Sequence, residues 1–329
     1  MDWFVLAAGA AVALASSAAL VTALERLGAR FGLPEATLGL LVALAADSPE
    51  VTSAITAYVR GEPSVGAGVV LGSNAFNLAA LLGLGAVVAA RIALHRRVVL
   101  FEGVVALTIA ALAAVTLAGI AGPLVCLVLM LAVLVPYVAL SALPARRRPE
   151  IPLPRAWRRW LVGAVAEEEL ELLAAITPPP GTWRDAVVAA VAVPAVVGAS
   201  ALMEGAASDL GARHGVPPIV IGGVILAAIT SLPNAVAAVY LARRGRGPAA
   251  FSVALNSNAV NVIIGLMIPA VLAAGVSLPR DSGFITAAYV VLTALTIGVA
   301  WAQRGIGRWA GALIIALYLA VVSALWLTA

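Results

Sequence analysis

The chain contains the stretch Leu71-Gly72-Ser73-Asn74-Ala75-Phe76-Asn77, and its other half contains the copy Leu255-Asn256-Ser257-Asn258-Ala259-Val260-Asn261. The copies keep one Ser and two Asn at the same places, and they lie 184 residues apart. Both lie inside long apolar runs, where polar side chains are costly and commonly serve packing or function. The pair therefore predicts a chain built from two related halves that carry the same polar groups.

The composition excludes a soluble protein. Of the 329 residues, 63% are hydrophobic and only 11% are charged, against about 25% charged in soluble domains. A membrane-spanning helix needs roughly 20 mainly apolar residues, because a lipid-exposed backbone must satisfy its own hydrogen bonds. We therefore predict an all-α membrane protein with ten transmembrane helices, near residues 3–24, 35–59, 64–89, 98–119, 123–143, 185–206, 217–241, 249–273, 283–302 and 309–328.

The basic residues predict the orientation of the chain. All 20 are Arg, and 17 of them fall in alternate loops, after the odd-numbered helices. The positive-inside rule makes that side cytoplasmic, so both termini are expected to lie outside the cytoplasm. We therefore predict a multi-pass protein of the inner (plasma) membrane. This distribution argues against nucleic acid as a partner; we expect the lipid bilayer and inorganic cations, and no obligate protein partner. The lone Cys126 excludes a disulfide or thiolate–metal framework.

The repeat divides the chain into two halves of five predicted helices each. We predict a first repeat at 1–143 with its motif at about 35–89, a cytoplasmic loop at 144–184, and a second repeat at 185–329 with its motif at about 217–273. Because five is an odd number, the second half enters the membrane from the opposite side, and inverted repeats place their binding site near the midplane. The loop is either a solvated linker with a short amphipathic helix or a regulatory segment.

The motif in the second predicted helix carries two acids at the depth of the membrane centre. Asp47 and Glu50 are three residues apart and share a helix face, so a cation or a shared proton would relieve their repulsion. Pro49 lacks a backbone donor and frees a carbonyl near Ala45, which we expect to act as an ion ligand. The alternative is a structural contact between helices.

Neutral oxygen ligands complete the predicted site. The candidates for ion binding besides the two acids are Ser73, Asn77, Thr230, Ser231, Asn234, Ser257 and Asn261. Pore lining and helix packing are equally open for Asn74 and Asn258. Oxygen-only ligand sets favour hard cations such as Ca²⁺, Mg²⁺, Na⁺ or K⁺ over soft transition metals. Asp47 and Glu50 are the candidate metal ligands.

Two other acids lie inside apolar runs. Glu102 is near the cytoplasmic end of the fourth predicted helix, while Glu204, with Asp209 nearby, approaches the external end of the sixth. Each is either an interfacial residue or part of a proton or ion route. Neither His95 nor His214 lies near the polar motifs, so we expect no enzyme, no catalytic residue and no cofactor.

These motifs resemble those of the calcium/cation antiporter superfamily, which includes sodium/calcium exchangers. That superfamily has two repeats with a Gly-Thr-Ser-Leu-Pro-Glu-type motif followed by a Gly-Ser-Asn-x-Phe-Asn/Asp-type motif. The matching segments are Thr230-Ser231-Leu232-Pro233 and Gly72-Ser73-Asn74-Ala75-Phe76-Asn77, and Ala45-Ala46-Asp47-Ser48-Pro49-Glu50 is a degenerate copy. The resemblance implies that Glu50 is the principal carboxylate ligand of the first repeat. It also implies that Ser73 and Asn77 complete this half, and that Thr230, Ser231, Ser257 and Asn261 serve the second.

The chain departs from the pattern of this superfamily in its acids. Asn234 and Asn261 stand where an acid is usual or frequent, and Asp47 stands where Ser is expected. One carboxylate has thus moved from the second repeat to the first, which keeps the site charge at −2 but changes its geometry.

The resemblance implies a secondary active cation antiporter that exports Ca²⁺ in exchange for Na⁺ or H⁺. A monovalent cation (Na⁺ or K⁺)/H⁺ antiporter on the same fold is the first alternative, since it accounts for the missing acid at Asn234. An ion channel or ion-sensing membrane protein without coupled exchange is the alternative from another class.

Overall fold

The structure is a computed structural model, and it describes residues 2–33, 41, 43–143, 147–148, 152–173, 179–272 and 280–328. Nearly all of them are helical. The first half contains α1 (Asp2–Phe31), α2 (Ser48–Val59), α3 (Pro63–Ala89), strand β1 (Arg91–Ala93), α4 (Arg96–Leu117) and α5 (Pro123–Ser141). Helix α6 (Arg155–Leu173) follows. The second half contains α7 (Trp183–Arg213), α8 (Pro218–Thr230), α9 (Leu232–Arg243), α10 (Gly247–Leu272), α11 (Gly283–Gln303), strand β2 (Gly305–Gly307) and α12 (Arg308–Thr328).

Within the described ranges, eight helices are long and apolar enough to cross a membrane, and α8 with α9 forms a ninth span if the bent pair is counted as one. The predicted second span, 35–59, falls partly on residues 34–40 and 42, which lie outside the described ranges. Residues 41 and 43–59, which include α2, are its described part. The count of ten therefore stays a prediction. The predicted end of the eighth span at 273 and part of the predicted loop at 144–184 also lie outside those ranges.

The prediction of an all-α chain needs one correction. Strands β1 and β2 form a short antiparallel ribbon in which Arg91 pairs with Gly307 and Ala93 with Gly305. The ribbon lies where α3 and α11 end, so it pairs backbone groups that no longer have a partner within a helix. Gly305 adopts a φ of 136°, a conformation that side chains disfavour, and this allows the chain to turn directly into the second strand.

Both repeat motifs contain a helix break at the same position. In the first half, helical residues 43–46 are separated from α2 by Asp47, and in the second half Ser231 separates α8 from α9. The second break bends the pair by 43°. Pro49 and Pro233 stand within the first two positions of the helices that follow, where a missing N–H costs nothing. The prolines therefore start new helices and leave the break residues at their N-termini.

Wide π-helical turns follow the Asn motifs in both halves. They span Leu78–Leu84 within α3 and Asn261–Met267 within α10. A π-helical turn contains one residue more than an α-helical turn, and such turns commonly occur at functional sites. They rotate the remainder of each helix relative to the polar segment that precedes it.

Glycines bring α3 and α8 into close backbone contact. A Cβ added to Gly68 would lie 2.7 Å from the backbone nitrogen of Gly223, and one added to Gly72 would overlap the Gly223 carbonyl oxygen. Small residues of this kind allow membrane helices to approach closely. The contact holds the Ser73 segment beside the broken helix of the other half.

Helices α1 and α7 pack antiparallel along their whole length. Asp2 at the start of α1 pairs with Arg213 at the end of α7, with 2.5 Å between Oδ2 and Nη1. At the other end, the Arg26 Nη1 lies 3.3 Å from the Asp185 Oδ1. One pair at each end of these helices shows that α1 and α7 run in opposite directions.

Candidate cation-binding site

The two acids of the first motif are fully buried at the break before α2. Asp47 is the break residue, and Glu50 lies in the first turn of α2; each is 1% exposed. A charged group at this depth is expensive unless it is paired or coordinated. The break thus places two carboxylates, one turn apart, inside the packed bundle.

Hydroxyl groups from the second half hold both carboxylates. The Ser231 Oγ donates to the Glu50 Oε1 at 2.9 Å, and the Ser257 Oγ donates to the Asp47 Oδ2. Ser231 is the residue that aligns with Asp47, because the repeat offset is 184 residues. The structure therefore brings together four residues that the sequence predicted as ligands, two from each half.

The Asn residues form a hydrogen-bond chain next to these acids. The Asn234 Nδ2 donates to the Asn77 Oδ1 at 2.7 Å, and the Asn77 Nδ2 donates to the Ser257 Oγ at 3.3 Å and the Asn258 Oδ1 at 3.1 Å. Asn77 thus connects α9 to α10. The hydrogen bond from Asn77 also fixes the orientation of the Ser257 hydroxyl that donates to Asp47.

Asn74 and Asn258 act as a clamp between α3 and α10. The Asn74 Nδ2 donates to the Asn258 carbonyl oxygen at 3.0 Å, and the Asn258 Nδ2 donates to the Asn74 carbonyl oxygen at 3.1 Å. The Asn261 Nδ2 donates to the Asn74 Oδ1 at 3.2 Å. These bonds favour helix packing over pore lining for Asn74 and Asn258, since their amide groups are engaged with protein.

Four buried oxygens of the predicted ligands have no hydrogen-bond donor among the described residues. They are the Asp47 Oδ1, the Glu50 Oε2, the Ser73 Oγ and the Asn261 Oδ1. An unsatisfied buried oxygen is costly, and a hard cation satisfies several at once. The donor set of carboxylates, a hydroxyl and an amide oxygen is the chemistry that Ca²⁺ or Na⁺ prefers.

Two predicted ligands are engaged elsewhere. The Thr230 hydroxyl donates to the Leu226 carbonyl oxygen of its own helix at 2.9 Å. Only the lone pairs of the Thr230 oxygen remain to bind a cation. The carbonyl oxygen of Ala45 accepts the Ser48 hydroxyl at 2.6 Å and the Ser17 hydroxyl at 2.8 Å. The expectation that this carbonyl is available as an ion ligand is therefore wrong in this structure, because two hydroxyls use it.

No sequence motif singled out Ser17, which joins α1 to the break. Its hydroxyl also lies 3.1 Å from the Ala46 carbonyl oxygen, and the residue is 2% exposed. The available signal was a polar pair, Ser16-Ser17, in the middle of an apolar helix.

Within the described part of the chain, no group of three or more His, Cys, Asp or Glu is suited to hold a metal ion. Two carboxylates alone supply fewer oxygens than a Ca²⁺ ion takes, so a cation bound at Asp47 and Glu50 needs neutral oxygen ligands as well.

Comparison with curated proteins finds similarity over short segments. The putative antiporter CaxA from Alkalimonas amylolytica is 35% identical over 88 residues, which is 26% of this chain and 27% of that protein. The sodium/potassium/calcium exchanger 4 from Mus musculus is 37% identical over 70 residues, which is 21% of this chain and 11% of that protein. The matched segments thus span well under two thirds of the length of these relatives.

Two solved structures share the fold along almost the whole chain. The sodium-calcium exchanger NCX_Mj, soaked with 2.5 mM Na⁺ and 10 mM Sr²⁺, aligns with a TM-score of 0.63 and 20% identity over 98% of each chain. The H⁺/Ca²⁺ exchanger CAX aligns with a TM-score of 0.70 and 14% identity over 99% of this chain and 85% of that one. The family model of the sodium/calcium exchanger protein matches residues 1–143 and 185–327. The chain is therefore a multi-pass membrane protein that belongs to the sodium/calcium exchanger family.

Proposed function

We propose that the protein is a secondary active cation antiporter that exports Ca²⁺ in exchange for Na⁺ or H⁺. The observation that carries the proposal is the pair of buried carboxylates, Asp47 and Glu50, each with one oxygen that lacks a donor among the described residues. Two carboxylates balance the charge of one Ca²⁺. The same two groups accept two Na⁺ ions or two protons in its place.

Competition at these carboxylates provides the coupling. A Ca²⁺ ion needs several oxygen ligands at once, so it and the counter-ions cannot occupy Asp47 and Glu50 together. Each carboxylate is also held by a hydroxyl of the other half, from Ser231 and from Ser257. A relative movement of the two halves changes these contacts, which links the occupancy of the site to the side of the membrane that it faces.

The proposed topology follows from the ends of the helices. We infer that residues 1–143 and 185–329 are the two inverted repeats and that the Arg-rich ends face the cytoplasm. The mutual clamp of Asn74 and Asn258, which are 184 residues apart, supports this division because it is the contact expected of residues related by a two-fold axis.

A monovalent cation/H⁺ antiporter is the second candidate. It is favoured by the amides of Asn234 and Asn261, which leave the second half without a carboxylate at the site. The Asn234 amide donates to the Asn77 Oδ1, so its N–H group serves the protein network.

Flux in proteoliposomes tests the proposal with one ion pair at a time. Vesicles that contain the protein are loaded with Na⁺, with K⁺ or with a buffer at acid pH, and they are diluted into a medium with ⁴⁵Ca²⁺. Vesicles without the protein serve as the control. We expect Ca²⁺ uptake that depends on a gradient of Na⁺ or H⁺. Monovalent cation/H⁺ exchange that Ca²⁺ neither drives nor inhibits would support the second candidate, and downhill Ca²⁺ flux without a counter-ion would indicate a channel.

A further inference from the structure

A second buried polar strip runs along α7, away from the Asp47 and Glu50 site. Ser200, Glu204 and Ser208 are spaced four residues apart, so they lie on one helix face. Their exposed fractions are 0%, 0% and 5%. Three polar groups on a buried stripe of a membrane helix need either protein partners or a ligand.

This face of α7 is directed toward α2. Val51 and Thr52 line one cavity together with Val196 and Val197, and farther along both helices Arg60 lies beside Glu204. The two contacts show that α2 and α7 run in the same direction. With a rise of about 1.5 Å per residue, Ser53 of α2 therefore lies within about one helical turn of the level of Ser200.

Three side-chain oxygens of α2 and α7 lack a hydrogen-bond partner among the described residues. They are the Ser53 Oγ, the Ser200 Oγ and the Glu204 Oε2. Ser53 is 0% exposed and lies one turn after Glu50 on α2. The unsatisfied oxygens thus continue from the free Glu50 Oε2 toward the end of the membrane where Arg60 lies.

Among the described residues, the Glu204 carboxylate makes one hydrogen bond and one ion pair, and the ion pair is exchangeable. Its Oε1 accepts the Ser208 hydroxyl at 3.0 Å, and its Oε2 lies 3.6 Å from the Arg60 Nε. The Arg60 guanidinium also lies 3.4 Å from the Asp209 Oδ1 and 3.6 Å from the Glu62 Oε1. Arg60 therefore keeps carboxylate partners if it leaves Glu204.

A cavity of about 590 Å³ opens at this end of the strip. Glu62, Ser64 and Ser208 are among its lining residues, and the Ser208 hydroxyl also binds Glu204. The cavity is large enough for a hydrated cation, and its carboxylate and hydroxyl groups suit one. The strip thus extends from the carboxylate pair toward a cavity whose lining includes the Glu62 carboxylate and the Ser64 and Ser208 hydroxyls.

We propose that Glu204 is an outer binding site for a hard cation, Ca²⁺ or Na⁺, on a route from this cavity to Glu50, and that Arg60 competes with the cation for the Glu204 carboxylate. The inference rests on the proposed function, because it needs a cation that travels through the protein. Ser200 and Ser53 supply the oxygens between the outer site and Glu50. A cation that enters from the cavity therefore meets Glu204 before it meets Glu50.

Equilibrium binding of ⁴⁵Ca²⁺ to purified protein tests the outer site. We expect the Glu50→Gln variant to keep a weak Ca²⁺ site, and the Glu50→Gln/Glu204→Gln double variant to bind at least about tenfold more weakly, since it loses a charged ligand. In the Glu50→Gln background, Glu167→Gln is the matched control, because Glu167 is also an acid paired with an Arg, 3.3 Å from Arg97. Equal binding by the first two proteins would overturn the outer site.

A milder pair of variants covers the case in which Glu204→Gln does not fold. In the Glu50→Gln background, Ser200→Ala is expected to weaken Ca²⁺ binding about threefold, the typical worth of one polar contact in a membrane protein. Thr296→Val is its control, because the Thr296 hydroxyl is also buried and lacks a donor or acceptor partner within the described ranges. The same affinity in both would count against a ligand role for Ser200 and against the route.

The competing role of Arg60 has its own readout. Removal of the guanidinium in Arg60→Gln, again in the Glu50→Gln background, should tighten Ca²⁺ binding several-fold, whereas a structural role alone predicts weaker binding or no change. The wild type is titrated with ⁴⁵Ca²⁺ and with ²²Na⁺ in parallel. A wild type that binds neither ion contradicts the proposed function and the outer site together, while a wild type that binds but is indifferent to Glu204 overturns the outer site alone.

Discussion

Asn74 and Asn258 donate to each other's backbone, at 3.0 Å from the Asn74 Nδ2 to the Asn258 carbonyl oxygen and at 3.1 Å in the reverse direction. The two residues occupy equivalent places in the repeat, so one sequence motif makes the same contact twice. The clamp joins α3 to α10 at the level of the two carboxylates. It therefore sets the distance between the halves that supply the site.

Asn74→Ala is predicted to destabilise the protein by about 1–3 kcal/mol, because it removes the acceptor of the buried Asn261 side-chain amide and one of the hydrogen bonds to the Asn258 carbonyl oxygen. The measurement is the melting temperature in detergent, without added cations. Thr296→Val serves as the control, because the Thr296 hydroxyl has no hydrogen-bond partner among the described residues. A melting temperature equal to that of the wild type would show that the clamp contributes nothing to stability.

Gly72→Ala is predicted to destabilise the protein by about 1–3 kcal/mol, the usual cost of overpacking. The added Cβ would overlap the Gly223 carbonyl oxygen, and neither backbone can move without opening the contact between α3 and α8. Gly198→Ala on α7 is the matched control, since its Cβ would meet no atom of the described residues within 4 Å. Equal melting temperatures for the two variants would contradict the close approach of the helices.

Glu50→Gln is predicted to abolish Ca²⁺ exchange while it leaves the amount of folded protein close to that of the wild type. The substitution keeps the shape of the side chain and an acceptor for the Ser231 hydroxyl, but it removes one of the two site charges. Ca²⁺ uptake into proteoliposomes and gel filtration of the purified protein provide the two readouts. Exchange at the wild-type rate in Glu50→Gln vesicles would remove Glu50 from the site.

Asn234→Glu is predicted to shift the ion preference of transport and to leave expression largely unchanged. The Asn234 side chain lies within the network, where it donates to the Asn77 Oδ1, so an acid there adds a negative charge next to the site. The ratio of Ca²⁺ uptake to Na⁺ uptake is the quantity to compare. An unchanged ratio would indicate that residue 234 does not act on the ion.

The displaced carboxylate offers a paired test of charge balance. Asp47→Ser alone removes one site charge and is predicted to weaken Ca²⁺ binding at least about tenfold. The double variant Asp47→Ser/Asn234→Glu returns the acid to the second half and is predicted to recover most of that loss. If the double variant binds Ca²⁺ no better than Asp47→Ser, the number of carboxylates is not what the site requires.

Much of this architecture was predictable because the repeat is visible in the residues themselves. The motifs predicted Ser231 and Ser257 as ligands of the same site as Asp47 and Glu50, and in the structure these two hydroxyls donate to the two carboxylates. Charge and hydropathy also indicated the membrane helices, since few other structures tolerate such apolar runs.

The remainder depends on packing between distant segments, which local sequence does not encode. The Ala45 carbonyl was expected to be free after Pro49, but Ser17 of α1 donates to it at 2.8 Å, and nothing in the motif indicates that α1 would lie there. The pairing of β1 with β2 likewise joins residues more than two hundred positions apart. Asn74 and Asn77 share one motif, yet one serves the clamp and the other the chain to Ser257.

The most direct test of the central claim is to locate the bound cation. Crystals grown with Sr²⁺ in place of Ca²⁺ give an anomalous signal that marks the ion. We predict a peak within about 2.6 Å of the Glu50 Oε2 and the Asp47 Oδ1, the usual distance for Ca²⁺ and its oxygen ligands. A strong peak elsewhere in the bundle, with none between these two carboxylates, would contradict the claim that Asp47 and Glu50 form the transport site.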